Sequence, residues 1–373
     1  MKKDWKVLVG NNIDLLKSYE DNTFDSIVTD PPYGIEFLGK DWDKDTGAME
    51  TWQECLRVLK PGGYILAFSA ARTYHNLATN IESAGFEIRD QIMWLYASGF
   101  PKAQDMGKAI DKRNGKLQSK TYLPSTEDNR AVKNSSTGSP RCNLCHTSTG
   151  YIHKKCSRDD CIKPWEDLQS DNEWSGWKTA LKPAHEPIVM ARKPFKGSCI
   201  DNVLNHGTGA LNIDGSRVEY TDEAEKELRL SYNKYAGKIY GDEGVYDVKT
   251  SQGASSEKGR YPSNVIGEVT DYQKYFYCPK VGRAERHVGF DNNHPTVKPV
   301  ELMKYLVKLV TPPNGIVLDP FNGSGSTGMA CVELGYEYVG CELNPNYVEI
   351  ATNRIAAWEA KFNDDHFDSL FDK

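Results

Sequence analysis

Nothing in the 373-residue chain approaches the unbroken apolar length of a membrane span, and Met1-Lys2-Lys3-Asp4-Trp5 lacks the apolar stretch of a signal peptide. A cytoplasmic protein with no membrane partner is expected on those grounds. A basic excess is missing too. The 46 Lys and Arg against 52 Asp and Glu leave a net charge of −6, so a nucleic-acid partner would have to meet local positive charge. Nine cysteines are an odd number, which speaks against a disulfide framework and for buried thiols or metal. The chain has no internal repeat and no Gly-Lys-Ser/Thr, so a triphosphate cradle is not indicated. What is present is an ordinary globular composition, 39% hydrophobic and 26% charged, with length for one large domain or two.

Strand and helix patterns alternate at both ends of the chain. Trp5–Val9 reads as a strand, Ile13–Tyr19 as a short helix and Phe24–Thr29 as a β-branched strand. Met49, Trp52, Cys55, Leu56 and Leu59 recur at helical spacing, and Lys60-Pro61-Gly62-Gly63 is expected to end that helix. A buried strand over 64–68, a helix over 72–84 and strand character over 86–96 follow. Regular pattern resumes with a helix over 301–310, a strand over 316–319, a helix over 329–334 and a strand over 336–341. A long last helix is opened by Pro345. The alternation predicts an α/β fold with a mixed, mostly parallel sheet. The expected divisions are 1–100, a basic insertion at 101–180, a continuation at 181–290, a second half at 291–362, and a frayed acidic tail at 363–373.

Two strand ends carry the chemistry. Phe24–Thr29 must stop at Pro31-Pro32, since neither proline can donate to a ladder, which leaves Asp30 and Tyr33 at a carboxyl strand end. A carboxylate, two rigid carbonyls and an aromatic ring can hold a planar amine. Far downstream, Asp319-Pro320-Phe321-Asn322-Gly323-Ser324-Gly325-Ser326-Thr327 is a glycine-rich turn between strand and helix. Glu342 stands at the end of the next strand, where a carboxylate can take ribose hydroxyls. That layout predicts a nucleotide-type cofactor site.

The basic insertion is a different kind of sequence. From Lys102 to Lys163 there are 13 Lys and Arg against 6 Asp and Glu. Within it, Cys142-x-x-Cys145 and Cys156-x4-Cys161 have the spacing of a structural zinc site with four thiolates, which would rigidify a loop that has little core. Arg141, Lys154, Lys155 and Arg158 are expected on phosphate. Trp165, Trp174 and Trp177 are read as packing residues in preference to base-contacting aromatics, and Cys55, Cys199, Cys278, Cys331 and Cys341 as buried small apolar residues.

Taken together, Asp30-Pro31-Pro32-Tyr33 and Asp319–Thr327 resemble the amino-group DNA methyltransferases that use S-adenosylmethionine. The amine motif precedes the cofactor motif, which is similar to the beta-class order of that family. His294-Pro295-Thr296-Val297-Lys298-Pro299, the Leu56–Gly63 stretch, Gly99-Phe100-Pro101-Lys102 and Lys182–Ile188 are further matches, and Tyr275–Lys280 resembles phage and prophage methylases. The resemblance implies a Rossmann-like, circularly permuted methyltransferase fold with inserted DNA-recognition segments. It implies methylation of adenine N6 in duplex DNA by base flipping, with cytosine N4 as the alternative. Asp30 and the Pro31 carbonyl would accept from the target amine, Pro32 would keep the turn rigid, and Tyr33 would stack on the base. Asp319, Phe321, Asn322, Gly323 and Gly325 would line the cofactor, with Ser324, Ser326 and Thr327 on its carboxylate and Glu342 on its ribose. Thr296 and Lys298 would flank its methionine end. Asn11 departs from the family's aspartate and would accept from adenine through its carbonyl oxygen. A homodimer is compatible with the resemblance and follows from nothing else.

Two rivals remain. A protein glutamine methyltransferase has a similar Pro-Pro-Tyr turn, but with asparagine before it and the cofactor motif upstream. A non-catalytic nucleic-acid-binding module would have no need of Asp30, Tyr33, Gly323 and Glu342 together.

Overall fold

The computed structural model describes residues 3–35, 43–96, 103–115, 172–220, 222–232, 238–241, 244–247, 255–267, 281, 283–288, 292 and 296–371. In chain order these form β1 (Trp5–Val9), α1 (Asn12–Leu16), β2 (Phe24–Thr29), α2 (Met49–Val58), β3 (Leu59–Phe68), α3 (Tyr74–Ser83), β4 (Glu87–Leu95) and α4 (Met106–Arg113). Next come β5 (His185–Arg192), α5 (Cys199–His206), α6 (Glu223–Tyr232), β6 (Lys238–Gly241), β7 (Gly244–Asp247), β8 (Ser255–Ser256), β9 (Gly259–Arg260) and β10 (Val265–Gly267). The chain closes with α7 (Arg283–Arg286), α8 (Val300–Val310), β11 (Ile316–Asp319), α9 (Ser326–Leu334), β12 (Glu337–Glu342) and α10 (Pro345–Phe371).

Residues 1–98 and 184–373 form one compact unit and residues 99–183 a second. The first is built on an eight-stranded sheet in the order β1-β12-β11-β2-β3-β5-β4-β10. Neighbours run parallel except for β5, which is antiparallel to both β3 and β4. This is the expected Rossmann-like α/β sheet in permuted order. From β11 the chain goes to β12 on one side, and from β2 to β3 on the other. Their shared carboxyl end is therefore the topological switch point, where open α/β sheets leave a crevice.

Both faces of the sheet are covered, which is why its central strands are apolar on both sides. Tyr64, Leu66 and Phe68 of β3 pack on Leu302, Met303, Leu306 and Val307 of α8. Ile65 and Ala67 face the other way, onto Trp52 and Cys55 of α2 and Leu77 and Ile81 of α3. Cys55, Cys331 and Cys341 are buried as expected, whereas Cys199, expected inside, is exposed. It opens α5, whose Ile200 and Leu204 are also outward-facing.

Four further expectations are corrected. Lys60-Pro61-Gly62-Gly63 does not follow the helix as a loop, because β3 begins at Leu59 and runs through it. Gly62 adopts φ +78°, and its N–H bonds to the Lys193 carbonyl while the Lys193 N–H returns to Gly63. The 363–371 stretch is not a frayed tail but the last turns of α10, with no proline or glycine after Pro345 to break it. In the second unit, α4 forms where the sequence reads as polar insertion, capped by the Asp105 side chain on the Lys108 N–H. Trp174 and Trp177 are exposed in that unit, edge to face at 5.5 Å, and not packed in a core. Trp165, the run of basic residues around the cysteines, and Cys142, Cys145, Cys156 and Cys161 themselves lie outside the described residues.

Candidate active site

The two motifs meet because their strands are neighbours: Leu318 of β11 pairs with Ile27 of β2. Asp30 follows β2 and Asp319 ends β11, so two carboxylates stand side by side at the switch point. A cavity of about 50 Å³ opens there, lined by Asp30, Thr296, Lys298, Met303, Asp319, Phe321, Asn322, Gly323, Ser324, Ser326 and Thr327.

Asp319 is buried and held by three donors. Thr29 Oγ1 (2.7 Å) and the Phe321 N–H (3.1 Å) donate to Oδ1, and Thr327 Oγ1 (2.8 Å) donates to Oδ2. Burial pushes its pKa up to about 6 despite those bonds. The turn after it is shaped by glycine where glycine is required. Gly325 sits at φ +79°, and a Cβ there would meet the Ala351 Cβ of α10 at 3.1 Å. Arg354 of α10, itself fully buried, braces the turn by donating to the Ser324 carbonyl at 2.5 Å and to Ser324 Oγ at 3.0 Å. Burial lowers its pKa to about 10, so it stays charged at neutral pH.

Asp30 has different company. Tyr33 Oη donates to its Oδ1 at 2.8 Å, and Lys298 Nζ donates to its Oδ2 at 2.8 Å. Glu186 Oε2 lies 3.0 Å from the Tyr33 hydroxyl and 3.2 Å from Lys298 Nζ. Burial works against the Lys298 charge, but Asp30 and Glu186 outweigh it and its pKa is raised. Burial, reinforced by both carboxylates, holds the Tyr33 phenol well above its ordinary value, so it stays protonated. The turn is pinned by Asp43, whose Oδ1 accepts from the Tyr33 N–H at 2.6 Å. Two carboxylates and one ammonium leave this cluster with one negative charge in excess, next to the glycine turn.

The sequence profile of the N6/N4 DNA methylase family matches residues 24–353, most of the chain. The chain belongs to that family. Among its relatives, the Type II methyltransferase M.HindIII of Haemophilus influenzae is 24% identical over 91% of this chain and 91% of its own. M.HpaI of Haemophilus parainfluenzae, also a Type II methyltransferase, is 23% identical over 98% of this chain and 77% of its own. Among solved structures, the PvuII cytosine-N4-specific DNA methyltransferase is 14% identical and covers 97% of this chain and 95% of its own, with a TM-score of 0.47. This DNA methylase is accordingly an amino-methyltransferase of the N6/N4 type.

The methylase's site departs in places from the sequence reading. Asn11 caps α1, its Oδ1 accepting from the Ile13 N–H at 2.9 Å, and it does not line the cavity. Asn12 beside it reaches the cofactor strand instead, donating to the Pro320 carbonyl at 3.1 Å. Asn322 turns its amide away to accept from Tyr338 Oη at 2.7 Å, in space left by Gly340. Glu342 shapes the turn, accepting from the Gly323 N–H (2.9 Å) and the Asn344 N–H (2.9 Å). Burial raises its pKa against those bonds. Tyr33 points its hydroxyl back to Asp30 and Glu186. Thr296 and Lys298 line the cavity, where Lys298 donates to Asp30.

Glu186 and Arg354 are functional-site residues that motif reading passes over. Glu186 was within reach of it, as a carboxylate between His185 and Pro187 at the start of an apolar run. Because β5 is antiparallel, its beginning lies on the same sheet edge as the carboxyl ends of its parallel neighbours. Arg354 gives no signal in a helix with many polar residues.

No group of three or more His, Cys, Asp or Glu side chains is placed to hold a metal among the described residues. None of the described helices is long and apolar enough to cross a membrane.

Proposed function

We propose that this methylase transfers a methyl group from S-adenosylmethionine to N6 of an adenine flipped out of duplex DNA. The observation that carries the reading is the shared crevice: an amine acceptor, Asp30, and a glycine turn end adjacent parallel strands and line one cavity. The cofactor fits what is left unpaired there. Ser326 Oγ, on the first residue of α9 and lining the cavity, is buried without a hydrogen-bond partner, as a carboxylate-binding hydroxyl at a helix start would be. Ser324 and Thr327 flank it, and Phe321, steadied by Trp52 at 5.7 Å, supplies an apolar wall.

S-adenosylmethionine, when bound, supplies an electrophilic methyl on a positively charged sulfur. The protein's part is to orient and to balance charge. Asp30 and the Pro31 carbonyl accept from the exocyclic amine, which discourages conjugation of its lone pair with the ring and aims it along the line of transfer. The net negative charge of Asp30, Glu186 and Lys298 favours the cation that develops at the amine. Asp30 or water takes the proton that leaves. Adenine is preferred to cytosine because the motif opens on aspartate and not serine.

Unmethylated duplex DNA is incubated with the protein and methyl-labelled cofactor, then digested to nucleosides. Label is expected in N6-methyladenine. Label in N4-methylcytosine transfers the assignment to that base, and no label in either leaves only the binding-module reading.

We also infer that Cys142, Cys145, Cys156 and Cys161 hold a structural zinc ion, on the strength of their spacing. Metal analysis of gently purified protein is expected to find about one zinc per chain, and less than about half would argue against the site.

A further inference from the structure

Both oxygens of the Asp30 carboxylate are already in use. Oδ1 accepts from the Tyr33 hydroxyl and Oδ2 from the Lys298 ammonium, each at 2.8 Å. A target amine therefore arrives at an acceptor with two resident donors. Beside those donors stands a second carboxylate: Glu186 Oε2 is 3.0 Å from the Tyr33 hydroxyl and 3.2 Å from Lys298 Nζ. A phenol has a single hydrogen, so Tyr33 can serve only one of the two carboxylates at a time. Lys298 has three, matched by Asp30, Tyr33 Oη and Glu186.

Lys298 is also confined. It is 8% exposed, its stem is followed directly by Pro299 at the start of α8, and its ammonium lies 4.7 Å from the Phe68 ring centre and 6.0 Å from that of Trp94. An ammonium in such a place cannot give up a carboxylate without another, since a buried unpaired charge is strongly unfavourable. Glu186 is the other. A movement of under about 1 Å converts the longer contact into a full hydrogen bond and loosens the shorter one. Glu186 is well placed to be fixed while this happens, because it is the second residue of β5 and is paired there with Trp94 of β4.

Resting on the methyl-transfer reading above, we propose that Glu186 and Lys298 are positioning residues for the target amine. Glu186 is the acceptor to which the Lys298 ammonium and the Tyr33 hydroxyl shift when the amine takes its place on Asp30. Lys298 keeps the Asp30 carboxylate aimed until then. No bond to either residue is made or broken in the reaction itself.

The test uses the full-length protein with labelled S-adenosylmethionine and duplex DNA, comparing wild type, Glu186→Gln, Lys298→Met and the double variant, with cofactor affinity measured by equilibrium titration. Glu186→Gln is expected to lower kcat at least about tenfold while cofactor affinity stays within about twofold, because Lys298 and Tyr33 are then held on Asp30. The double variant is expected within about twofold of Lys298→Met alone, since without the ammonium Glu186 has little to receive. Should Glu186→Gln not accumulate as folded protein, Glu186→Asp replaces it and is expected about fivefold or more below wild type. A Glu186 variant as active as wild type overturns the proposal, as do losses that multiply in the double variant or a parallel loss of cofactor affinity. A silent wild type overturns the methyl-transfer reading and this proposal with it.

Discussion

Asp30 and Asp319 end neighbouring parallel strands and are each followed by a proline, yet the protein treats them in opposite ways. Asp319 is 2% exposed and is met only by hydroxyl and amide donors, from Thr29, Thr327 and Phe321. Among the described residues no cation pairs with it. It works as a clasp, tying β2 to the start of α9 so that the glycine turn keeps its shape. Asp30 keeps 24% of its side chain exposed and is met by an ammonium and a phenol that have a second carboxylate to go to. Its partners are exchangeable. A buried carboxylate satisfied by fixed neutral donors serves structure, whereas one satisfied by mobile or shared donors is available to a ligand.

The largest effect that would break the comparison is functional. Asp30→Ala is expected to lower kcat by about a thousandfold, since it removes the acceptor that orients the amine in the transition state. The same change should leave the fold in place, because Lys298 retains Glu186 and Tyr33 retains an acceptor. Methyl transfer from labelled cofactor, measured beside a thermal melt, checks both halves. An Asp30→Ala protein that stays active, or one that unfolds, would dissolve the distinction between the two aspartates.

Much of this arrangement is legible in the sequence. The strands over 24–29 and 316–319 declare themselves through β-branched residues and are stopped by Pro31-Pro32 and by the glycine turn. What escapes is whatever depends on strand direction or on which atom is nearest. The antiparallel setting of β5 puts Glu186 at the site, and no local pattern announces that reversal. Glu342 stands at its strand end as expected, but its oxygens close on Gly323 and Asn344 amides because the turn folds back over it. Arg354 reads as a surface residue and is fully buried, since the Ser324 and Glu285 carbonyls wait for it inside. Lys60-Pro61-Gly62-Gly63 contains the usual end of a helix, yet pairing with Lys193 draws it into β3.

The smallest effect concerns the clasp and appears in the pH dependence of stability. Asp319 titrates near 6 in the folded protein and, like any exposed aspartate, near 4 when unfolded. Below about pH 4 both states hold the proton and the group is neutral in its effect. Between about pH 4 and 6 the unfolded chain releases it while the folded protein keeps it, so the unfolded state binds fewer protons and stability falls as pH rises. Above 6 the folded protein carries the full cost of a buried charge, of order 3 kcal/mol. Asp319→Asn removes that cost. The asparagine oxygen can keep the Thr29 and Phe321 donors, and its NH₂ can face Thr327 Oγ1, whose own hydrogen turns to the Val28 carbonyl 3.5 Å away. Denaturant melts of the two proteins should coincide near pH 4 and separate toward pH 7, with the asparagine variant the more stable by about 3 kcal/mol. A separation that does not change with pH would mean that Asp319 carries no cost as a buried anion, and the contrast between clasp and acceptor would fall.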